Sequence, residues 1–282
     1  MKRLLFFSSL LVILSIRIVF ASGEPNPTGA RVWGLANCAV TFTDPWSVWN
    51  NPGGLAYTEY SHVLATYNIR YSMSGFQTMA VGYVHPLSKG VLGATLSRLG
   101  DELYNETIVG ISYGYLWKNV SMGLRVNYLQ AGMQEVGKKQ TVLFEIGTIV
   151  QLLPQLSAGV HIYNVSQSRL DASTNERIPT IMKAGLAYKP HTKLIWTVEL
   201  EKDIDFAGTF RTGLEYEIVK NLRLRTGIAT RPQLYSFGIG FSPKKLQLDY
   251  AFQTHSTLGL SHNLSLSIRL LKKKTTNESI KS

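Results

Sequence analysis

The sequence predicts an all-β fold: a transmembrane antiparallel up-and-down β-barrel of about 14 strands with a short N-terminal plug segment. Three observations lead there. Bulky apolar residues alternate with small or charged ones along most of the chain, and short turns alternate with longer polar connections. A stretch rich in chain breakers and aromatics, DPWSVWNNPGGLA (44–56), precedes the first alternating segment. Strict alternation means two faces in two different environments, because successive side chains of a strand point to opposite sides.

Residues 1–21 read as a signal peptide: Lys2 and Arg3, an apolar run from Leu4, and Val-Phe-Ala ending at Ala21. Arg17 interrupts the run, which is too short to cross a bilayer as a helix. Without Lys2, Arg3 and Arg17 the net charge falls from +11 to +8, with 26 basic against 18 acidic residues. A basic, exported chain with no RNP, zinc or helix-turn-helix spacing is not a nucleic-acid binder. Its single cysteine, Cys38, excludes an internal disulfide framework and reads as a small packing residue.

Residues 22–58 are expected to form the plug. Within them Asp44, Trp46, Trp49, Asn51, Pro52, Gly53 and Gly54 form a plug and hinge motif. Pro52 fixes its own φ, and Gly53-Gly54 open conformations closed to other residues, so the chain can turn sharply from lumen to wall. The two tryptophans supply rigid surface against the inner wall, with Asp44 and Asn51 placed to hydrogen-bond to it.

Residues 59–271 carry the barrel. Val109, Ile111, Tyr113, Tyr115 and Trp117 share one face of a strand, with Gly110, Ser112 and Gly114 on the other. Similar segments recur to Leu264/Leu266/Ile268/Leu270, with weaker ones at 60–71, 77–86, 90–98, 180–189 and 222–229. Short turns are expected at Pro86 to Gly90, Lys118-Asn119, Pro154-Gln155, Lys189 to Lys193, Lys220-Asn221 and Ser242 to Lys245. Longer loops are expected at Gly100 to Asn105, Gly132 to Lys139, Ser166 to Pro179 and Lys202 to Ala207. With short turns in the periplasm, an even strand number puts both chain ends there, in an outer-membrane protein whose partner along the wall is lipid. Residues 272–282 form a basic polar tail.

The faces opposite the bulky residues carry a charge ladder, Arg125, Glu145, Glu199, Arg211, Glu215, Arg223, Arg225, Asp249 and Arg269, with His161, Glu201 and Glu217 on the same side. A soluble sandwich would show the same alternation. Repetition of the apolar face on nearly every strand, aromatics toward strand ends, and glycine and serine threaded among the charges favour a barrel with the charges in its lumen. Such a ladder either rigidifies the wall and holds the plug or lines a conduction path. Gly90 and Gly93 are candidate kinks, or simply fit against bulky neighbours.

Little points to catalysis. The six histidines are scattered without metal-ligand spacing, so no metal, cofactor or enzymatic activity is expected. Ser261-His262 cannot pair within one strand, since neighbours point to opposite faces. His262 falls on the outward face, which places it at the interface or requires a bulge.

The segment GARVWGLANCAVTFTDPWSVWNNPGGLA (29–56) resembles the N-terminal signature of the PorV/PorQ family and of the broader FadL-like outer-membrane channels, through Gly29, Arg31, Gly34, Ala36, Ala39, Asp44, Asn51, Pro52, Gly54 and Leu55. Leu258 to Arg269 is similar to the family's last strand. Gly53 stands where the family has alanine, Cys38 where a small glycine-like residue is usual, and the last strand runs into a basic tail. The resemblance implies a fourteen-stranded plugged barrel and two functions. The first is a secretion-associated scaffold of type IX kind, binding secreted proteins or secretion-machinery components. The alternative is a FadL-like channel for small hydrophobic compounds.

Overall fold

The computed structural model describes residues 23, 25–134, 137–171 and 176–272. The expected signal peptide and the tail beyond Lys272 lie outside them. Fourteen strands close into one antiparallel barrel. β1 (Tyr60–Ile69) pairs with β2 (Gln77–Pro86) on one side and β16 (Gly259–Lys272) on the other. The circuit between runs through β3 (Val91–Gly100), β4 (Tyr104–Trp117), β5 (Val120–Met133), β6 (Gly137–Leu153), β7 (Leu156–Tyr163), β10 (Ile181–His191), β11 (Leu194–Asp203), β12 (Thr209–Val219), β13 (Leu222–Thr230), β14 (Gln233–Phe241) and β15 (Leu246–His255). β8 (Arg169–Asp171) and β9 (Glu176–Arg177) form a separate hairpin in the long connection after β7.

Alternation in the sequence becomes inside and outside. On β4, Ile111, Tyr113 and Tyr115 are exposed while Ser112 between them is buried; on β5, Met122 and Leu124 face out while Ser121 and Arg125 are buried. Exposed large apolar side chains recur on every barrel strand, so the exterior is a continuous apolar band rather than a patch. Only lipid suits such a wall, and closure of β1 on β16 leaves no unpaired backbone edge in it. Most strands have 8 to 11 residues, which at a rise of ~3.3 Å and a tilt of ~40° spans about the ~25 Å apolar band of such barrels.

β4, β5 and β6 are longer, at 14, 14 and 17 residues, so the wall is taller on that side. This corrects the polar loop expected at Gly132 to Lys139: Ala131 pairs with Lys139 and Gly132 with Lys138, so the hairpin simply continues. The two strands satisfy each other's backbone groups there, and polar side chains do not end a strand that has a partner.

Connections at the end where β1 begins and β16 finishes are tight turns, with Lys118, Asn221 and Lys244 at positive φ and Gly90 at φ 76. At the opposite, loop end, only the connection from Asn164 to Thr180 is long; β13 and β14 are joined by Arg231-Pro232 alone. The expected contrast between short turns and long loops is therefore slight. β2, β3 and β4 pair without register shifts, so Gly93 is no kink, and Gly90 serves its turn.

The plug threads the lumen from the loop end. Gly23 is hydrogen-bonded near the loop ends of β4 and β7, through Glu106 and Tyr163. The chain then circles the inner wall, with helical turns at Ala30–Trp33 and Ser47–Asn50, and a 3₁₀ turn (Pro52–Tyr57) delivers it to Tyr60 at the turn end. The expectation that both chain ends share one side holds only for the barrel's own ends, Tyr60 and Lys272. An even strand count fixes where the wall starts and stops, and says nothing of a segment threaded through it.

Candidate functional site: the plug seat and the loop-end vestibule

The plug rests on glycines of the wall. Gly114, Gly123 and Gly147 lie abreast on β4, β5 and β6, and the plug from Asn51 to Ala56 sits on them, with the Pro52 carbonyl over Gly123 and the Asn51 side-chain amide over Gly147. A Cβ on Gly123 would overlap the Pro52 carbonyl, and one on Gly114 would come within 2.9 Å of Ala56 N. Gly159 and Gly185, also abreast, hold Val40, and Gly213 and Gly227 hold Leu35 and Ala36. Wall glycine is thus a requirement of space, since plug backbone or a plug side chain occupies the place a Cβ would take.

The same reasoning corrects the hinge expected at Gly53-Gly54. Neither residue has positive φ. Gly53 is small because a Cβ would meet Gly147 O at 2.8 Å, and Gly54 because one would overlap Phe42 O. Asn51 Nδ2 donates to Val40 O at 2.5 Å while its Oδ1 accepts from Gly53 N at 3.1 Å, so the fully buried amide ties two stretches of plug together. Asp44 does not reach the wall: one carboxylate oxygen accepts from Trp46 N and the other from Arg31. Trp46 and Trp49 stack at 5.6 Å; Trp49 presses on the wall at Gly82, whereas Trp46 packs against Gly29 of the plug.

Among the described residues, buried charges form three clusters along the inner wall and the plug against it. Arg31 of the plug bridges Asp44 at 2.6 Å and Glu215 at 2.7 Å, and Glu215 and Asp249 both hold Arg225. Burial disfavours the Arg31 charge, but Glu215 and Asp44 more than offset it and raise its pKa above the ordinary value. Arg125, Asn127 and His161 converge on Glu145, and Arg125 also donates to Trp49 O. Lys183 and Arg211 share Glu201. Glu199, although directly opposite Arg211, instead accepts the plug N–H groups of Ala39 and Val40 at 2.8 and 2.9 Å. Arg223 pairs with Glu217 toward the turn end, half in solvent. Arg269 leaves the ladder: it lies at the turn end, over the Tyr60 ring and bonded to Lys244 O, because its strand has there run past the plug.

From sequence, Arg31 enters only through the family resemblance and Lys183 not at all. Arg31 stands in an irregular segment without a face, and Lys183 in one of the weaker strand candidates. His262 faces outward with Tyr250 OH at 2.8 Å from its Nδ1, and no bulge shifts its register. Ser61 Oγ lies 2.8 Å from His85 Nδ1, whose other hydrogen-bonding neighbour is Tyr83 OH. This is a serine and histidine without an orienting acid among the described residues, so the arrangement lacks the third member of a nucleophilic site.

Cys38 is buried within the plug, among Val32, Leu35, Ala39 and Phe42, and burial, aided by Glu199, raises its thiol pKa. Maleimide is therefore expected to leave the folded protein unmodified and to label it on unfolding, read as a mass shift. As the only cysteine, it reports directly on plug seating.

Above the plug, at the loop end, a cavity of about 500 Å³ is lined by Trp33, Tyr71 and Phe206 and by charged groups that include Glu201, Arg211 and Arg231. A smaller cavity of about 50 Å³ lies deeper, against Trp49, Arg125, Asn127 and Glu145. Pro25 borders both.

No protein-family model and no curated protein matches the chain. Solved structures do. CymD, a monoaromatic hydrocarbon channel, aligns with a TM-score of 0.64 at 12% identity over 87% of this chain and 97% of its own. The Pseudomonas putida toluene transporter TodX gives 0.63 at 11% identity over 89% and 99%. A Pseudomonas aeruginosa FadL homologue gives 0.62 at 12% over 87% and 99%. The likeness is one of fold, the closed antiparallel β-barrel that this chain shares with these three proteins.

Proposed function

We propose that this chain is an outer-membrane channel that takes small, largely apolar compounds into the loop-end vestibule and releases them on the turn side past the plug. The vestibule carries this reading: a cavity of about 500 Å³ in the barrel mouth, with aromatic rings beside polar groups, has the size and mixed lining of a small-molecule site. The structurally similar channels act on monoaromatic hydrocarbons and toluene, which supports the same substrate class here. Because β2, β3 and β4 are paired throughout, the route runs around the plug rather than sideways between those strands. In this reading the loop end faces outward, the turn end faces the periplasm, and the leader directs export.

Toluene uptake into proteoliposomes tests it. The protein is expected to speed uptake over empty vesicles, and Phe206→Asp, which places a charge in the vestibule lining, is expected to reduce it severalfold without changing Cys38 protection. Uptake equal to that of empty vesicles would overturn the channel reading.

A secretion-associated scaffold is the second reading, favoured by Leu103, Ile204 and Phe206, which expose apolar side chains at the loop tips. Retention of secreted proteins or secretion-machinery components on the intact barrel, lost on Leu103→Ser with Ile204→Ser, is the result that reading expects.

A further inference from the structure

The two rims of the barrel differ in charge. Six tight turns close the turn end, and none of them contains aspartate or glutamate. Five expose lysine instead: Lys89, Lys118, Lys193, Lys220, and Lys244 with Lys245. Loop-end connections are mixed, with Asp101, Glu102 and Asp205 beside Arg70 and Arg231. A rim of one sign at a membrane surface attracts lipid headgroups of the other.

Above part of the turn rim the outer wall is not flush. A groove of about 370 Å³ opens on the lipid-facing side of β10 to β13, bordered by Tyr188, Pro190, Leu194, Trp196, Leu214 and Ile228. Tyr188, Trp196, Leu214 and Thr226 lie abreast on the four strands, so the row ends in a small side chain where most of the wall carries large ones. Thr212, the other small residue in the groove, accepts from Trp196 Nε1 at 2.9 Å and donates to Thr197 O at 3.0 Å, which fixes the indole as one side. Pro190 and Leu194 flank the turn before β11, whereas Ile228 lies roughly 20 Å along β13 from its start at ~3.3 Å per residue. The groove therefore runs from the rim toward the middle of the apolar band.

We infer that this groove binds one anionic phospholipid, with an acyl chain along Trp196 and Leu214 and the headgroup phosphate held by Lys193 and Lys220. Lys193 immediately precedes Leu194, and Lys220 lies in the next turn of the same rim. Both are exposed, and among the described residues neither forms an ion pair. The groove faces the hydrocarbon, so its occupant is apolar along its length; the lysines require that it end in negative charge. A second copy of the chain fits worse, because it would bring lysines of the same sign against this rim. The inference rests on the outer-membrane reading above, in which the turn end meets the periplasmic leaflet.

Quenching of tryptophan by brominated lipid tests the site. Trp33, Trp46 and Trp49 are buried, so in a Trp117→Phe background Trp196 is the tryptophan that faces lipid. In phosphatidylcholine vesicles, brominated phosphatidylglycerol is expected to associate at Trp196 at least roughly fivefold better than brominated phosphatidylcholine, the factor one lysine supplies at an anionic surface. Lys193→Gln combined with Lys220→Gln is expected to lower that preference by at least half. Thr226→Phe, which fills the groove and keeps both lysines, is expected to do the same, so the test survives if the lysine variant fails to fold. Trp117, read in a Trp196→Phe background, is expected to show a smaller preference, since its neighbour Lys118 lies over its own ring at 5.3 Å. Equal association of the two lipids at Trp196, the same preference at both tryptophans, quenching of Trp196 by neither lipid, or a preference unchanged in the folded variants overturns the inference. None of these readouts depends on transport, so they stand apart from the uptake test.

Discussion

Gly123→Ala is expected to unseat the plug while leaving the barrel closed. The added methyl would overlap the Pro52 carbonyl, and neither side can yield cheaply. Gly123 is paired on both flanks, with Gly114 and Gly147, and Pro52 opens a 3₁₀ turn whose residues from Pro52 to Leu55 are all buried. Overpacking a close-packed site with flexible side chains typically costs about 1–3 kcal/mol. Here the colliding atoms are backbone, so relief requires the plug itself to move. Gly132→Ala on the same strand is the control, since its nearest neighbour would be Asn105 Oδ1 at an ordinary 3.4 Å.

Two measurements check this expectation. Cys38 becomes open to maleimide in Gly123→Ala and stays protected in Gly132→Ala. Planar-bilayer conductance rises in the first and not in the second. Heat-dependent migration in detergent gels, which reports barrel closure, is expected to stay as in the wild type for both. A Gly123→Ala protein with protected Cys38 and unchanged conductance would mean that the plug adapts to the wall, and the glycine seats would lose their significance.

These seats show how far the sequence alone could be followed. Alternation identified the strands because lipid and lumen make opposite demands on successive residues, and one face therefore stays apolar from Tyr60 to the end of β16. Glycines also stood out on the inner face. Their partners could not be found, because whether Gly123 meets Pro52 or Gly213 meets Leu35 depends on the path of a plug that has no periodicity. Gly53-Gly54 were misread for the same reason: a glycine needed for space and one needed for a positive φ look alike in sequence. Asp44 suggested a bond to the wall, but its cation, Arg31, lies thirteen positions earlier in an irregular stretch, and only the folded plug brings the two together. The placement of Gly23 at the loop end was equally hidden, since strand parity concerns the wall alone.

Arg31→Met is expected to destabilise the seated plug by about 3–5 kcal/mol, the usual cost of removing one partner from a buried ion pair. The charges explain why this member matters most. Arg31 and Arg225 face Asp44, Glu215 and Asp249, so two cations hold three carboxylates. Losing Arg31 leaves one cation for three, in a site where Glu215 and Asp249 are almost fully buried. Glu215→Gln instead leaves two cations for two carboxylates, and an amide can still accept from Arg31. The single Arg31→Met variant should therefore expose Cys38 to maleimide at lower denaturant than Glu215→Gln does. Adding Glu215→Gln to Arg31→Met should recover part of the loss, because it removes the carboxylate left worst off. Arg31→Lys should fall between, since an ammonium cannot reproduce the two parallel bonds that Nε and Nη2 make to Glu215. Because the Arg31 pKa is raised, the stability it contributes is kept below its ordinary strongly basic range for as long as its carboxylate partners stay ionised, and on the alkaline side it is lost only above that range. Alkaline treatment short of denaturation is accordingly expected to leave the wild-type plug seated. If the double variant proved less stable than Arg31→Met alone, Glu215 would be holding the plug by a contact other than this pair.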